Sequence, residues 1–224
     1  MKAVCLLSGG LDSATAAAIA KHEGYKLYCL SFNYGQIATN EIESAKKIAK
    51  ALGAKEHRVV DISFLKQLYG PGATVLLDEQ MPMPEKFEQS IIVPFRNGIL
   101  LAIAAGYAAT IGAEVIFYGA QEDDARFYPD CRQEFVSAIA QAISLGTESK
   151  LTVRNPLADK TKAEAIKLAV ELGVPLELTW SCYLNRELHC GRCESCRNRK
   201  RAFERAGVKD PTIYAKPPEA KPSA

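Results

Sequence analysis

Ser8-Gly9-Gly10-Leu11-Asp12-Ser13 follows directly on the apolar run Lys2-Ala3-Val4-Cys5-Leu6-Leu7 and leads into an alanine-rich helix, Ala14 to Lys21. A strand that ends in Ser-Gly-Gly leaves backbone N–H groups uncovered by side chains. A helix that starts there aims the positive end of its dipole at the same point. That is the chemistry of an anion trap, and Asp12 and Ser13 stand where they would cap the helix. The spacing matches neither the glycine-rich Lys-Ser/Thr loop nor the three-glycine dinucleotide fingerprint.

A second group of reactive side chains lies far along the chain, where Cys182 precedes Cys190, Cys193 and Cys196. Four thiolates so spaced surround one tetrahedral zinc ion, with Gly191 letting the chain double back and the Cys193 to Cys196 turn leading into a helix. Such a site has no open position, so its role is structural. A four-cysteine iron–sulfur cluster is the alternative, against which stands the lack of a run ending in Cys-Pro. His189 either lies exposed or stands behind the ligands. Arg197, Arg199, Lys200, Arg201 and Arg205 then form a solvated helix face or an RNA-facing stripe. Between the two groups, Thr161-Lys162-Ala163-Glu164 is a capping box, and its helix runs through Leu172 to a stop at Gly173, Val174 and Pro175. Lys160 and Lys162 oppose the dipole at that helix start, and Lys162 is the better candidate to meet an anion.

The elements that must position these residues alternate. Strands are expected at Tyr25 to Phe32, Glu56 to Val60 and Val115 to Tyr118, and helices at Glu41 to Leu52, Ile99 to Ile111 and Gln133 to Leu145. Such alternation requires a parallel sheet covered on both faces, so the class is α/β. Ligands collect beyond the carboxyl ends of such strands, where Ser8 to Ser13, Asn33 to Gln36 and Gly119 to Asp124 converge. Leu65 to Gln89, with Gly70, Pro71, Gly72, Pro82 and Pro84, reads as a mobile loop over the crevice or a partner-contacting excursion.

Composition bounds the rest. The chain has 224 residues, 48% hydrophobic, and a net charge of +2 with both signs spread along it, so no basic face marks a nucleic-acid footprint. One domain is expected, with 1–160 as the nucleotide-binding core and 161–224 as a helical segment carrying the cysteines. The absence of a signal-peptide pattern and of an unbroken apolar run long enough for a bilayer points to a cytoplasmic protein without membrane contact. Seven cysteines in a reducing compartment argue for metal rather than disulfides, with Cys5 and Cys29 as core residues.

The first motif resembles the pyrophosphate loop, SGGxDS, of ATP pyrophosphatases. Phe32-Asn33-Tyr34-Gly35-Gln36, Val93-Pro94 with Arg96-Asn97, Gly119, Tyr128-Pro129-Asp130-Cys131-Arg132, Leu145-Gly146-Thr147, Lys162-Ala163-Glu164, Thr179-Trp180-Ser181-Cys182-Tyr183 and the terminal Cys-Gly-x-Cys-x-x-Cys accompany it. Together they resemble the 7-cyano-7-deazaguanine synthase family. The resemblance implies a Rossmann-like parallel sheet of the adenine nucleotide alpha-hydrolase (PP-loop) type with a C-terminal helical zinc-binding segment. It also implies a ligase that converts 7-carboxy-7-deazaguanine, ammonia and ATP to a nitrile, through an adenylated acid, an amide and a second adenylation. A homodimer, structural Zn2+ and Mg2+ are implied as well.

The run Leu7-Ser8-Gly9-Gly10-Leu11-Asp12-Ser13-Ala14-Thr15-Ala16-Ala17 would bind ATP. Asp12 would act through magnesium or by fixing the loop, and Ser13 through a phosphate hydrogen bond. Arg96 and Lys162 would meet phosphate charge or the substrate carboxylate, and Asp130 and Arg132 would define the deazaguanine pocket. Cys131 reads as structural. Three departures from the family pattern lie by the expected crevice: Ile37-Ala38 in place of a basic residue and histidine, Phe95 in place of glycine, and Ala125-Arg126-Phe127 in place of Tyr-Ser-Gly. They mark either an ordinary branch or a relative that adenylates the acid and delivers it to a protein or nucleic-acid amine. A PP-loop tRNA-modifying enzyme and a nucleotide-binding regulatory protein are the rival classes.

Overall fold

The computed structural model describes residues 1–215. β1 (Lys2–Leu6) holds the middle of a five-stranded sheet because every residue after Lys2 is apolar and buried. β2 (Lys26–Asn33), β3 (Glu56–Asp61), β4 (Val115–Phe117) and β5 (Thr152–Arg154) complete the order β3-β2-β1-β4-β5, and every pairing is parallel. Val4 pairs with Tyr28 on one side and Ile116 on the other.

Strand alternation divides the core into two layers. Ala3, Cys5 and Leu7 point into one apolar cluster, shared with α1 (Leu11–His22), α2 (Asn40–Leu52), α7 (Lys162–Glu171) and α8 (Glu194–Ala206). Val4 and Leu6 point into the other, shared with α4 (Arg96–Ile111) and α6 (Gln133–Thr147). Residues of the C-terminal helices, Ala165, Ile166, Ala202 and Phe203, thus lie in the same apolar layer as the sheet. The first three strands spread to one side of β1 and the chain then returns to its other side. A crevice therefore opens at the carboxyl ends of β1 and β4, where the order reverses.

Three elements escaped the sequence reading: β5, α3 (Phe64–Tyr69) and α5 (Glu122–Phe127). Each is too short to complete a periodic pattern. α4 also starts at Arg96, three residues before the expected start, behind an N-cap Phe95 in the left-handed region at φ 53°. Gln89–Ile111 has the length and mean hydropathy, 1.6, of a bilayer span, a pattern that the unbroken-run criterion misses because Arg96 and Asn97 interrupt it. In the fold this stretch is a core element: Leu101, Ala104, Ala105 and Ala108 pack in the second apolar layer.

The stretch 65–89 is not a free loop, and its exposed residues, among them Pro71, Gly72, Ala73, Glu79 and Gln80, are the ones a partner would meet. After α3 it folds as a packed strap, with Thr74, Val75 and Leu77 buried. Thr74 Oγ1 and Val75 N both donate to Ser90 O (2.8 and 2.9 Å), Ile37 N donates to Leu76 O (3.0 Å), and Glu194 N donates to Pro84 O (3.1 Å).

The capping box of α7 is present as read: Thr161 Oγ1 accepts from Glu164 N (3.3 Å) and Glu164 Oε2 accepts from Thr161 N (2.8 Å). Thr161→Ala is expected to cost about 1 kcal/mol, roughly 2–4 °C in Tm for a chain of this size. An unchanged melting curve would show that the cap contributes nothing here.

Candidate active site

Gly9 adopts φ +89°, and a Cβ there would stand 2.1 Å from the carbonyl oxygen of Glu41. No side chain fits, so the loop after β1 lies directly on the start of α2. Gly119 has the same constraint, since its Cβ would meet Asp12 O at 2.4 Å, which presses the loop after β4 against the first turn of α1. The expected capping by Asp12 and Ser13 does not occur, because α1 begins at Leu11 behind Gly10 with no side-chain cap. Ser13 Oγ instead turns back to brace the loop, accepting from Ser8 N (3.1 Å), donating to Gly10 O (3.1 Å) and lying 3.0 Å from Ser8 Oγ. From the far end of the chain, Trp180 N donates to Gly9 O (2.9 Å).

These loops enclose a cavity of about 270 Å³. Leu7, Ser8, Gly10, Leu11, Asp12 and Ser13 line it, whereas Gly9, Ala14, Thr15, Ala16 and Ala17 stand behind, Thr15 Oγ1 donating to Leu11 O within the helix. Lys162 and Asp12 face each other across it (Nζ to Oδ2, 3.3 Å), and Asp12 Oδ1 is buried without a partner. Burial pushes the Asp124 carboxyl up to about 6, with Lys162 opposing the shift and Asp12 adding to it. Lys162 in turn is held above its ordinary value: burial works against its charge, but Asp12 and Asp124 outweigh it.

On the other wall, Arg96 Nη1 donates to Tyr34 Oη (3.4 Å), and Asp130 Oδ2 accepts from Asn97 N (2.9 Å) while Asn97 Nδ2 donates to Cys131 Sγ (3.3 Å). Burial, then the charges of Asp124 and Asp130, push the Cys131 thiol up to about 12, so it offers no thiolate nucleophile. Asp12, Ser13, Arg96, Asp130 and Lys162 therefore share one cavity. Arg132 lies outside its lining, exposed, with Nε donating to Ala125 O (3.2 Å).

The four cysteines converge as well. Cys182, Cys190, Cys193 and Cys196 are all buried, with sulfurs within 4.8 Å of one another. A tetrahedral ion with bonds of about 2.3 Å sets its sulfurs roughly 3.8 Å apart, close to the 4.0 Å between Cys190 and Cys196. Amides of Leu184 and Cys190 donate to Cys182 Sγ (3.4 Å each) and Cys193 N donates to Cys190 Sγ (3.3 Å), bonds that stabilise thiolates. His189 is buried rather than exposed. Its Nε2 accepts from Ser181 N (3.0 Å), and burial pulls it down to about 4, so it is a neutral acceptor. Arg199, one of the basic residues expected on a helix face, is 1% exposed, donating to Asp210, Thr179 Oγ1, Ser181 Oγ and Leu176 O.

The family model described as queuosine biosynthesis protein QueC matches residues 2–207. The chain belongs to the QueC family. Two curated proteins named 7-cyano-7-deazaguanine synthase are similar along almost their whole length. One from Sulfurovum sp. (strain NBC37-1) is 46% identical over 96% of this chain and 99% of its own. One from Oceanobacillus iheyensis is 45% identical over 95% and 98%. QueC is thus a family of enzymes, of the C–N ligase type, and this chain is one of them. An NMN synthetase structure from Francisella tularensis shares the fold (TM-score 0.53, 16% identity, 93% of this chain and 78% of that one).

Glu41 and Tyr118, which sequence reasoning did not single out, complete the QueC cavity, beside Asp124 at the end of the loop expected at the crevice and Ser181 of the Thr179 to Tyr183 motif. Glu41 lies in the first turn of α2, where acidic residues are ordinary, so nothing in the pattern singles it out. Asp124 is one of three successive acids, and only the hydrogen bond from Gln121 N to its Oδ2 (3.1 Å) marks which of them turns inward.

Proposed function

We propose that this QueC member uses ATP to activate 7-carboxy-7-deazaguanine and converts it with ammonia to 7-cyano-7-deazaguanine, releasing AMP and pyrophosphate. The observation that carries this reading is the opening of the phosphate loop, Lys162 and Arg96 onto one cavity that also holds Asp130 and Asn97. A carboxylate resists attack by an amine because it carries negative charge. Transfer of AMP to one oxygen turns that oxygen into a leaving group, and a second adenylation, on the amide oxygen, lets the amide lose it to give the nitrile. The loop amides would hold the departing pyrophosphate, with Lys162 and Arg96 stabilising charge as it accumulates. Asp130, fixed by Asn97 N, would accept from the N–H edge of the base.

Two metals fit residues present here. Asp12 Oδ1, buried without a partner near Asp124, suits a hard cation such as Mg2+, which when bound would neutralise phosphate charge. The four thiols suit a closed structural Zn2+.

Incubation of the protein with 7-carboxy-7-deazaguanine, Mg-ATP and ammonium, followed by mass analysis of small molecules and protein, is expected to yield the nitrile with AMP and pyrophosphate. Adduct mass on the protein instead would favour transfer to another amine. No AMP release would overturn the adenylation reading altogether.

A further inference from the structure

Four carboxylates line the cavity, and three of them are engaged: Asp12 with Lys162, Asp124 with Gln121 N, and Asp130 with Asn97 N. The fourth, Glu41, has no side-chain hydrogen bond or ion pair among the described residues, although it is only partly exposed. Its backbone is fixed, because Glu41 O is the atom that forbids a side chain at Gly9. An unpartnered carboxylate is therefore held beside the phosphate loop, where a bound polyanion would repel it unless a cation or a proton arrived. The reading above requires a cation: at neutral pH ammonia enters as ammonium, which must both bind and lose a proton before its lone pair is free to attack.

We propose that Glu41 binds the incoming ammonium ion and accepts the proton that releases the attacking amine. This rests on the adenylation reading above. Ammonium gives one proton to a Glu41 oxygen. The nitrogen lone pair forms a bond to the carbonyl carbon of the adenylated acid, and the bond from that carbon to the AMP oxygen breaks with its electron pair. The second proton lost from nitrogen goes to the departing AMP phosphate or to water. No oxidant or reductant is needed.

The groups that face Glu41 suit this task. Arg96 from α4 lowers its proton affinity, and Tyr34, just beyond the end of β2, lines the same cavity. Burial is the largest influence, and the carboxyl stands at about 7, basic enough to take a proton as the nucleophile forms. Phosphate charge in the loop would raise it further. The other charged pair in the cavity, Asp12 and Lys162, is already compensated and offers an ammonium ion less.

The test compares two nucleophiles on wild type, Glu41→Gln and Glu41→Asp. Hydroxylamine is neutral at assay pH and needs neither a counter-charge nor a proton acceptor before it attacks, its one displaced proton going to the departing AMP phosphate or to water, so it reports on the adenylated acid through hydroxamate formation. For Glu41→Gln, kcat/KM for ammonium is expected to fall about 100-fold, with KM for ammonium raised, while hydroxamate forms within a few-fold of wild type. Glu41→Asp should recover part of the ammonium reaction. A parallel loss with both nucleophiles would overturn the proposal and place Glu41 in adenylation or folding, and unchanged ammonium kinetics would overturn it outright. Wild type that yields neither hydroxamate nor AMP would sink the adenylation reading itself.

Discussion

Gly9→Ala is expected to lower ATP turnover at least about 100-fold while the protein still folds, because a misplacement of about 1 Å in reacting groups costs roughly that factor. The added methyl would stand 2.1 Å from Glu41 O, a backbone atom in the first turn of α2, so no rotamer can relieve the collision. The loop must lift away, and with it the amides that would hold phosphate. Left-handed backbone alone also penalises alanine by about 1–2 kcal/mol, so strain and collision need separating. Gly24→Ala does this: Gly24 has nearly the same φ, +86°, with nothing within 4 Å of an added Cβ. Both variants should lose a few degrees in Tm, but only Gly9→Ala should lose turnover. Equal activity in the two would mean that the loop tolerates displacement and is not the phosphate-binding element.

Loss of the metal proposed at the four cysteines should be nearly as damaging, and at a distance. Cys196→Ser, or prolonged chelation of the wild type, is expected to remove metal that is equimolar with the chain. Tm should drop by about 10 °C or more, since structural zinc sites contribute several kcal/mol and a domain of this size shifts by roughly 2–4 °C per kcal/mol. Cys182 follows the segment Thr179-Trp180-Ser181, which Arg199 grips from one side through Thr179 Oγ1 (2.7 Å) and Ser181 Oγ (3.2 Å). His189 grips it from the other through Ser181 N, and Trp180 N holds Gly9 O. ATP binding measured by calorimetry should weaken together with stability. Metal-free protein with an unchanged Tm and unchanged ATP affinity would show that the thiols are ordinary core residues.

Much of this was legible in the residues, unevenly. The phosphate loop, the capping box and the four cysteines are local patterns in which a few neighbouring residues carry the whole signal, and the alternation of strands and helices follows from hydrophobic period alone. What stayed hidden depends on long-range packing. Glu41 becomes a cavity residue only because the carboxyl ends of the strands converge, and which acid near the end of the Gly119 to Asp124 loop turns inward shows only in the packing. Arg199 looks like its exposed neighbours on α8 until Asp210, Thr179, Ser181 and Leu176 are seen to surround it. The stretch 65–89 looks loose because its order comes from hydrogen bonds to residues 37, 90 and 194 rather than from a repeat of its own. Arg132 shared a suggestive motif with Asp130, but Asp130 sits in the single turn Pro129–Cys131 and Arg132 caps α6 beyond it, and only Asp130 faces the cavity.

The hydrogen bond from Trp180 to Gly9 has a consequence for how the protein comes into being on the ribosome. Gly9 is synthesised long before Trp180, so the emerging chain carries an unbraced loop until the segment around Trp180 has left the exit tunnel. A truncated product arrested before that segment would hold the sheet residues but not the brace on the loop after β1.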